Sequence, residues 1–292
     1  MAGNDGERFV PRQKQRRRFG RIATAGFLAA TAVGIFTLVL LLVDIWADGA
    51  AALSLDFLTS FPSRIADRAG IKVGLAGSLW ILGFTALFSF PLGVATAIWL
   101  EEYAPRNRWT QLVQMNIANL AAVPSIVYGI LGLAVFVRAL SLGQSVLAGS
   151  LTLTLLILPV IIIASQEALR AVPNSIRLGA YALGATRWQT ISRQVLPMAM
   201  PGVMTGVILA LSRAVGETAP LIVIGAVGYM SFVPGNPLDE FTVLPIQIFD
   251  WIGRPQVAFH QIAAGAILVL LAVLLAFNLI AVLLRNRFTK NL

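Results

Sequence analysis

Six apolar runs alternate with polar segments along the chain. They cover about Ile22–Trp46, Val73–Leu100, Leu112–Val137, Ser145–Ala164, Val203–Val227 and Ile262–Leu284. Each is long enough to cross a hydrocarbon layer as a helix of ~20 residues. The first run is too long for a signal-peptide core of about 7–15 apolar residues. It also ends in Val43, Asp44, Ile45 and Trp46 rather than in small residues, which predicts an uncleaved span. Pro91, Pro124 and Pro159 fall inside runs and predict kinks, which membrane helices tolerate when neighbours satisfy the freed carbonyls. Trp46, Trp99 and Trp109 stand at run edges, where an amphipathic ring belongs. The expected class is all-α: a polytopic membrane protein with six transmembrane helices.

The charges orient these spans. With the N-terminus inside, segments 1–21, 101–111, 165–200 and 285–292 hold sixteen of the 22 Lys and Arg. The opposite side holds Arg64, Arg68, Lys72, Arg138 and Arg254. The positive-inside bias then places both termini in the cytoplasm, and an even number of spans requires the same. Residues 1–21 read as a basic cytoplasmic tail resting on anionic lipid headgroups. Residues 22–292 read as one membrane domain.

Composition narrows the chemistry. Of 292 residues, 58% are hydrophobic and 12% charged, against about 25% charged in soluble chains. The net charge of +9 could suggest nucleic acid, but this hydrophobicity places it at membrane edges and no nucleic-acid partner is expected. There are no cysteines and one histidine, His260, so thiol catalysis, iron–sulfur clusters and multi-histidine metal sites are excluded. Lys14, Lys72 and Lys290 are the only lysines and none follows a glycine. No Walker A loop exists, so if the protein uses ATP and Mg, another chain must bind them. The chain is not expected to be an enzyme or to bind a cofactor itself.

The inside loop 165–200 carries two helical patterns. Asn174 or Ser175 can cap the first, and Ile176, Ala180, Tyr181 and Leu183 mark one apolar face. Gly184 supplies a left-handed C-cap. Thr186 can cap a second short helix that meets Pro197 before span five. The pattern admits an interfacial hairpin without a partner or a helix that docks into a groove.

This loop resembles the EAA loop of bacterial ABC-importer permeases, Glu-Ala-Ala-x3-Gly-x9-Ile-x-Leu-Pro. Ala180 falls on the second alanine, Gly184 on the glycine, and Leu196 and Pro197 on the Leu-Pro. Leu178, Gly179 and Gln194 depart from the pattern at the Glu, the first Ala and the Ile. The resemblance implies the type I ABC-importer permease fold, with a short helix docked on an ATPase subunit. Its coupling residues would be Ser175, Ile176, Ala180, Tyr181, Leu183, Gly184 and Ala185.

Span five contains Arg213 and Glu217 four residues apart, on one helix face. A charge there costs about 2.5–3.5 kcal/mol on insertion scales. It marks either a self-neutralising anchor or a pathway. Gly216 allows close helix approach and Pro220 interrupts the backbone one turn later. Arginine pairs two oxyanion oxygens with its planar fork and stays charged.

The string Arg213-Ala-Val-Gly-Glu-Thr-Ala-Pro-Leu221 resembles a signature of the phosphate ABC-transporter permeases. Pro91–Pro105, Val123–Leu133, Glu167–Arg177 and Thr242–Trp251 extend the likeness over nearly the whole chain. GETAP and LPIQIFDW favour the PstA type over its PstC partner. The resemblance implies a bacterial cytoplasmic (inner) membrane complex. It would contain a PstC-type permease, two ATP-binding subunits and an extracytoplasmic phosphate-binding protein. Arg213, Glu217, Thr218 and Ser125 would line the phosphate pathway, Ser125 equally well being a satisfied hydroxyl beside a kink. Competing readings are a permease for another oxyanion or phosphonate and a stand-alone ion-coupled carrier. The apolar content of 241–249 suggests a surface-lying or re-entrant outer segment.

Overall fold

The computed structural model describes residues 13–226 and 228–290. Among them the chain is helical between loops, with one isolated antiparallel bridge between Ser145 and Glu240. Five stretches are long and apolar enough to cross a membrane: Phe19–Ala52, Lys72–Tyr103, Val146–Arg170, Arg187–Val215 and Val257–Leu283. A sixth crossing exists only as a bent pair, Arg108–Ala121 and Ser125–Ala139, which meet at 103°. Residues 1–12 of the expected tail lie outside the described residues, and α1 (Gln13–Gly49) already includes residues 13–21.

α3 (Lys72–Ile98), α6 (Val146–Arg170) and α9 (Leu196–Val215) form the interior. Between membrane helices the hydrophobic effect supplies little drive, so close packing of small residues does the work. Gly202 and Gly206 of α9 sit against Ala168 and Ala164 of α6, and Gly93 of α3 sits against Ile161. The hydroxyls of Ser150, Thr152 and Thr154 donate to carbonyls one turn back at 2.8–2.9 Å, so these buried polar groups are satisfied within α6. α1 and α12 (Val257–Lys290) pair outside this interior, with Gly49 on the backbone of Ala264 and Gly265.

The expected single span Leu112–Val137 is two helices, α4 (Arg108–Ala121) and α5 (Ser125–Gly132, extended by a π turn over Leu133–Ala139). Pro124 has no N–H and pushes Val123 out of helical conformation, so the helix stops instead of kinking. The Tyr128 hydroxyl donates to the Leu120 carbonyl at 2.8 Å, which satisfies one acceptor freed by the break. α5 turns away because Gly129 fits over Pro220 and Gly132 over Thr152.

The outer loops also differ from expectation. α2 (Leu55–Thr59) is capped by Ser54 at 3.1 Å. Its Phe57 lies 6.2 Å, ring centre to ring centre, from Trp251. Trp251 belongs to α11 (Leu244–Ile252), and most of this helix is buried rather than lying on a surface. Gly74 and Gly77 make this possible, since a Cβ at either would overlap Gln247 or the Thr242 carbonyl. The Ser78 hydroxyl accepts from Leu244 N at 2.9 Å, and Gln247 Nε2 donates to Gly70 O at 2.8 Å.

Candidate functional site

The expected span Val203–Val227 ends early. α9 stops at Val215, Gly216 and Glu217 close it with bonds to the Arg213 and Ala214 carbonyls, and α10 (Ala219–Ile224) follows. α10 ends at Gly225, whose φ of +104° favours glycine. Glu217 is therefore beyond the helix end rather than on a shared helical face. The pair still forms, with Arg213 Nε donating to Glu217 Oε1 at 3.3 Å. Arg213 in the last turn of α9 complements the helix C-terminus.

The two side chains differ in environment. Arg213 is 52% exposed and Glu217 16%. The remaining guanidinium donors of Arg213 have no partner among the described residues. Thr218 donates to the Gly216 carbonyl at 3.4 Å and so spans the break. Behind it lies a cavity of about 20 Å³ lined by Ser78, Thr85, Ala214, Val215, Leu221 and Val243, room for about one water. The open side of Arg213 thus faces out of this chain. Ser125, the first residue of α5, is half-buried and makes no side-chain hydrogen bond to Arg213, Glu217 or Thr218. It lies one turn before Gly129, which touches Pro220 of α10, so the two helix breaks come together through α5 and α10.

The loop region reorganises more. α6 continues to Arg170, past the expected end at Ala164. α7 (Asn174–Ala182) follows Pro173 without a side-chain cap from Asn174 or Ser175. Its C-terminus closes with Ala185 N donating to Ala180 O at 3.1 Å and Gly184 N to Tyr181 O at 2.9 Å. Gly184 has φ +79°, the left-handed cap expected. Thr186 and Gln189 form a capping box that starts α8 (Arg187–Thr190). α8 is no separate helix, since a π turn over Ile191–Val195 carries it into α9. That wider turn stands directly before Pro197, where an α-turn would bring the proline ring against a carbonyl.

The apolar face assigned to α7 divides in two. Ile176 packs on the core and Ala180 is half-buried, while Tyr181 and Leu183 project outward, Leu183 at 90% exposure. Ser175 is exposed and Ala185 half-buried. Leu178 and Trp188, not singled out as docking residues, are also exposed apolar side chains on this surface. Leu178 stands where the family loop has its Glu, so the departure puts an apolar group there.

Sequence reasoning missed the ion pairs beside the loop. Glu102 is buried and Arg177 half-buried, 7% and 14% exposed, with Glu102 Oε1 2.6 Å from Arg177 Nη2. Glu101 pairs with Arg170 at 2.8 Å. Separations of 69 and 75 residues leave no local spacing to reveal them. His260 is exposed, with Nε2 2.8 Å from the Arg254 carbonyl. No group of acidic or histidine residues arranged to hold a metal occurs among the described residues.

The body is all-helical, with long apolar spans, two of them broken, and a short helix, α7, in the loop before α9, which defines the class as a polytopic membrane protein. Residues 89–291 match the family described as binding-protein-dependent transport system inner membrane component, and the chain belongs to it. It is 35% identical over 293 residues to the phosphate transport system permease protein PstA 1 of Mycobacterium tuberculosis, covering 97% of this chain and 94% of that one. It is 34% identical to the probable ABC transporter permease protein YqgI of Bacillus subtilis, covering 92% and 93%. The fold is similar to a chain of the bacterial alginate ABC transporter, solved with an alginate pentasaccharide-bound periplasmic protein. That match has TM-score 0.70 and 18% identity, covering 96% of this chain and 99% of the other. The chain is thus an ABC importer permease subunit of the bacterial cytoplasmic membrane, not a catalytic subunit.

Proposed function

We propose that the imported solute is inorganic phosphate and that Arg213 receives it. The supporting observation is a half-exposed arginine beside a broken span, with only one donor engaged, in a chain similar to a named phosphate permease over 97% of its length. Its planar fork can pair two phosphate oxygens. Glu217 holds the guanidinium in place until phosphate joins or displaces it. Thr218 and Ser125 offer hydroxyls along the same route. The cavity beside the break holds only about 20 Å³, and in this reading a second, PstC-type permease completes the pathway.

In this reading both termini are cytoplasmic. An extracytoplasmic phosphate-binding protein delivers the ion, and two ATP-binding subunits hold ATP and Mg. They receive α7 and its surroundings through Ser175, Tyr181 and Leu183, while Ile176, Ala180, Gly184 and Ala185 shape the element from behind. In an assembled complex, Arg213→Gln is expected to lower phosphate uptake about 10–100-fold, the equivalent of a lost charged hydrogen bond or two. Normal uptake by that assembled variant sinks the assignment.

A further inference from the structure

α7 is joined covalently to α6 on one side and to α8 and α9 on the other. α3, which packs most extensively on α6, has no covalent link to the loop. Its cytoplasmic end widens into a π turn over Trp99–Tyr103, which carries two adjacent acids. Three arginines from three elements converge on them. Arg170, at the end of α6, takes Glu101. Arg177, in the middle of α7, takes Glu102 with Nε and Nη2. Arg187, at the start of α8, donates to the Glu102 backbone carbonyl and lies 4.9 Å over the Tyr103 ring. Arg177 also donates to the Val172 carbonyl at 2.8 Å and the Leu169 carbonyl at 3.0 Å. One guanidinium therefore ties the α3 carboxylate, the α6–α7 turn and α7 together.

We propose that Glu102 and Arg177, backed by Arg187, are positioning residues that lock α7 to α3, so that displacement of the loop moves α3 together with α6 and α9. This rests on the reading of α7 as the element that meets the ATPase. Three features carry it. Glu102 is buried and Arg177 half-buried although both line an open cleft of about 610 Å³. Arginine geometry fixes direction as well as distance, which an ammonium does not. The contact also joins the loop to α3, to which the chain does not link it directly, so side chains carry that connection.

The chain has no cysteine, so spin labels can be placed at Trp99→Cys and Leu183→Cys, both exposed in the native protein. With cysteine-free partner subunits, the 99–183 distance is read in the purified complex with and without ATP. Solute moved per ATP hydrolysed is read in vesicles. The native lock is expected to give one narrow distance in both nucleotide states. Glu102→Gln keeps shape and an acceptor but removes the charge. It is expected to broaden the distribution at least about twofold and lower the transport-to-hydrolysis ratio at least about fivefold, at the low end of common coupling factors. Arg177→Lys keeps charge but not the three-way bonding, and is expected to fall between. A narrow distance and a native ratio in Glu102→Gln, with only a lower melting temperature, would overturn the proposal and leave a structural staple. The distance arm needs no phosphate, so failure of the phosphate reading appears separately, as native distances without phosphate uptake. If the 183 label is unaffected by ATPase removal, the docking reading fails while the distance arm still decides the lock.

Discussion

Two arginine–glutamate pairs in this chain use the same side chains for opposite ends. Arg213 and Glu217 are four residues apart, touch at 3.3 Å through one nitrogen, and leave the arginine half-exposed. Glu102 and Arg177 are 75 residues apart, approach to 2.6 Å, and leave the arginine only 14% exposed with two further carbonyls on its guanidinium. The first pair sits at a helix end where nothing else competes for the arginine. In the second the guanidinium is shared with the Val172 and Leu169 carbonyls. A loosely held pair can exchange a partner at little cost, whereas a fully satisfied one cannot. Ion pairing alone therefore says little about role, and the number of other groups on each charge says more.

The comparison breaks most visibly when one acid is removed. Glu102→Ala leaves the half-buried Arg177 without its counter-charge, and is expected to destabilise the chain by about 3 kcal/mol, the low end for a broken buried pair. The measurement is the denaturant midpoint of the purified complex, together with its level in the membrane. The next effect is kinetic. Arg213→Gln is expected to cost about 10–100-fold in phosphate uptake while shifting stability by under about 1 kcal/mol, as for an exposed pair. If both variants lost stability equally, the distinction between the pairs would collapse.

The sequence made the two pairs unequally legible. Arg213 and Glu217 are visible as charges in an apolar run at helical spacing. Their helix ends at Val215, but apolar residues continue to Val227 and hide the break. Hydropathy reports lipid compatibility and not hydrogen bonding, so Gly216 and Pro220 were the better signal. The Leu112–Val137 run failed likewise: Pro124 announced a disturbance, but the 103° turn depends on Gly129 meeting Pro220 and Gly132 meeting Thr152. The α11 segment reads as either surface-lying or re-entrant, and the choice stays open because its recess, at Gly74 and Gly77, lies about 170 residues earlier, a separation on the order where pattern-based reading loses contact. The Gly184 and Thr186 caps are legible because caps are local chemistry, although the return bond from Gln189 that completes a box at Thr186 is seen only in the structure. Glu102 and Arg177 carry no local pattern at all.

One substitution made at both arginines sharpens the contrast. Lysine keeps the charge and loses the fork. At Arg177 it cannot reach Glu102, Leu169 and Val172 together, and a loss of about 1–3 kcal/mol is expected from the acceptors left unsatisfied. At Arg213 it removes one long hydrogen bond, so folding is expected to be unchanged while phosphate uptake falls about tenfold through the loss of bidentate pairing. Unfolding midpoints and uptake measured on the two variants side by side give the answer. A stability loss at 213 matching that at 177 would mean that Arg213 is anchored by more than Glu217.

The smallest expected effect falls on Glu217. If it only restrains Arg213 between transport events, Glu217→Gln keeps an acceptor for the arginine and removes its competing charge. The exposed partner makes this pair worth about 0–1 kcal/mol, so the unfolding midpoint should barely move. Phosphate should then meet an arginine with no resident anion, and half-maximal uptake should occur at an unchanged or up to about fivefold lower concentration, the ratio equivalent to that pair energy. Release on the cytoplasmic side would be slowed by the same unopposed charge, so maximal uptake should fall while affinity rises. A carboxylate that instead anchors α9 to its surroundings gives the reverse pattern, a lower midpoint with native uptake by the molecules that remain folded. The two outcomes separate a gate from an anchor at a charged pair that has room to open.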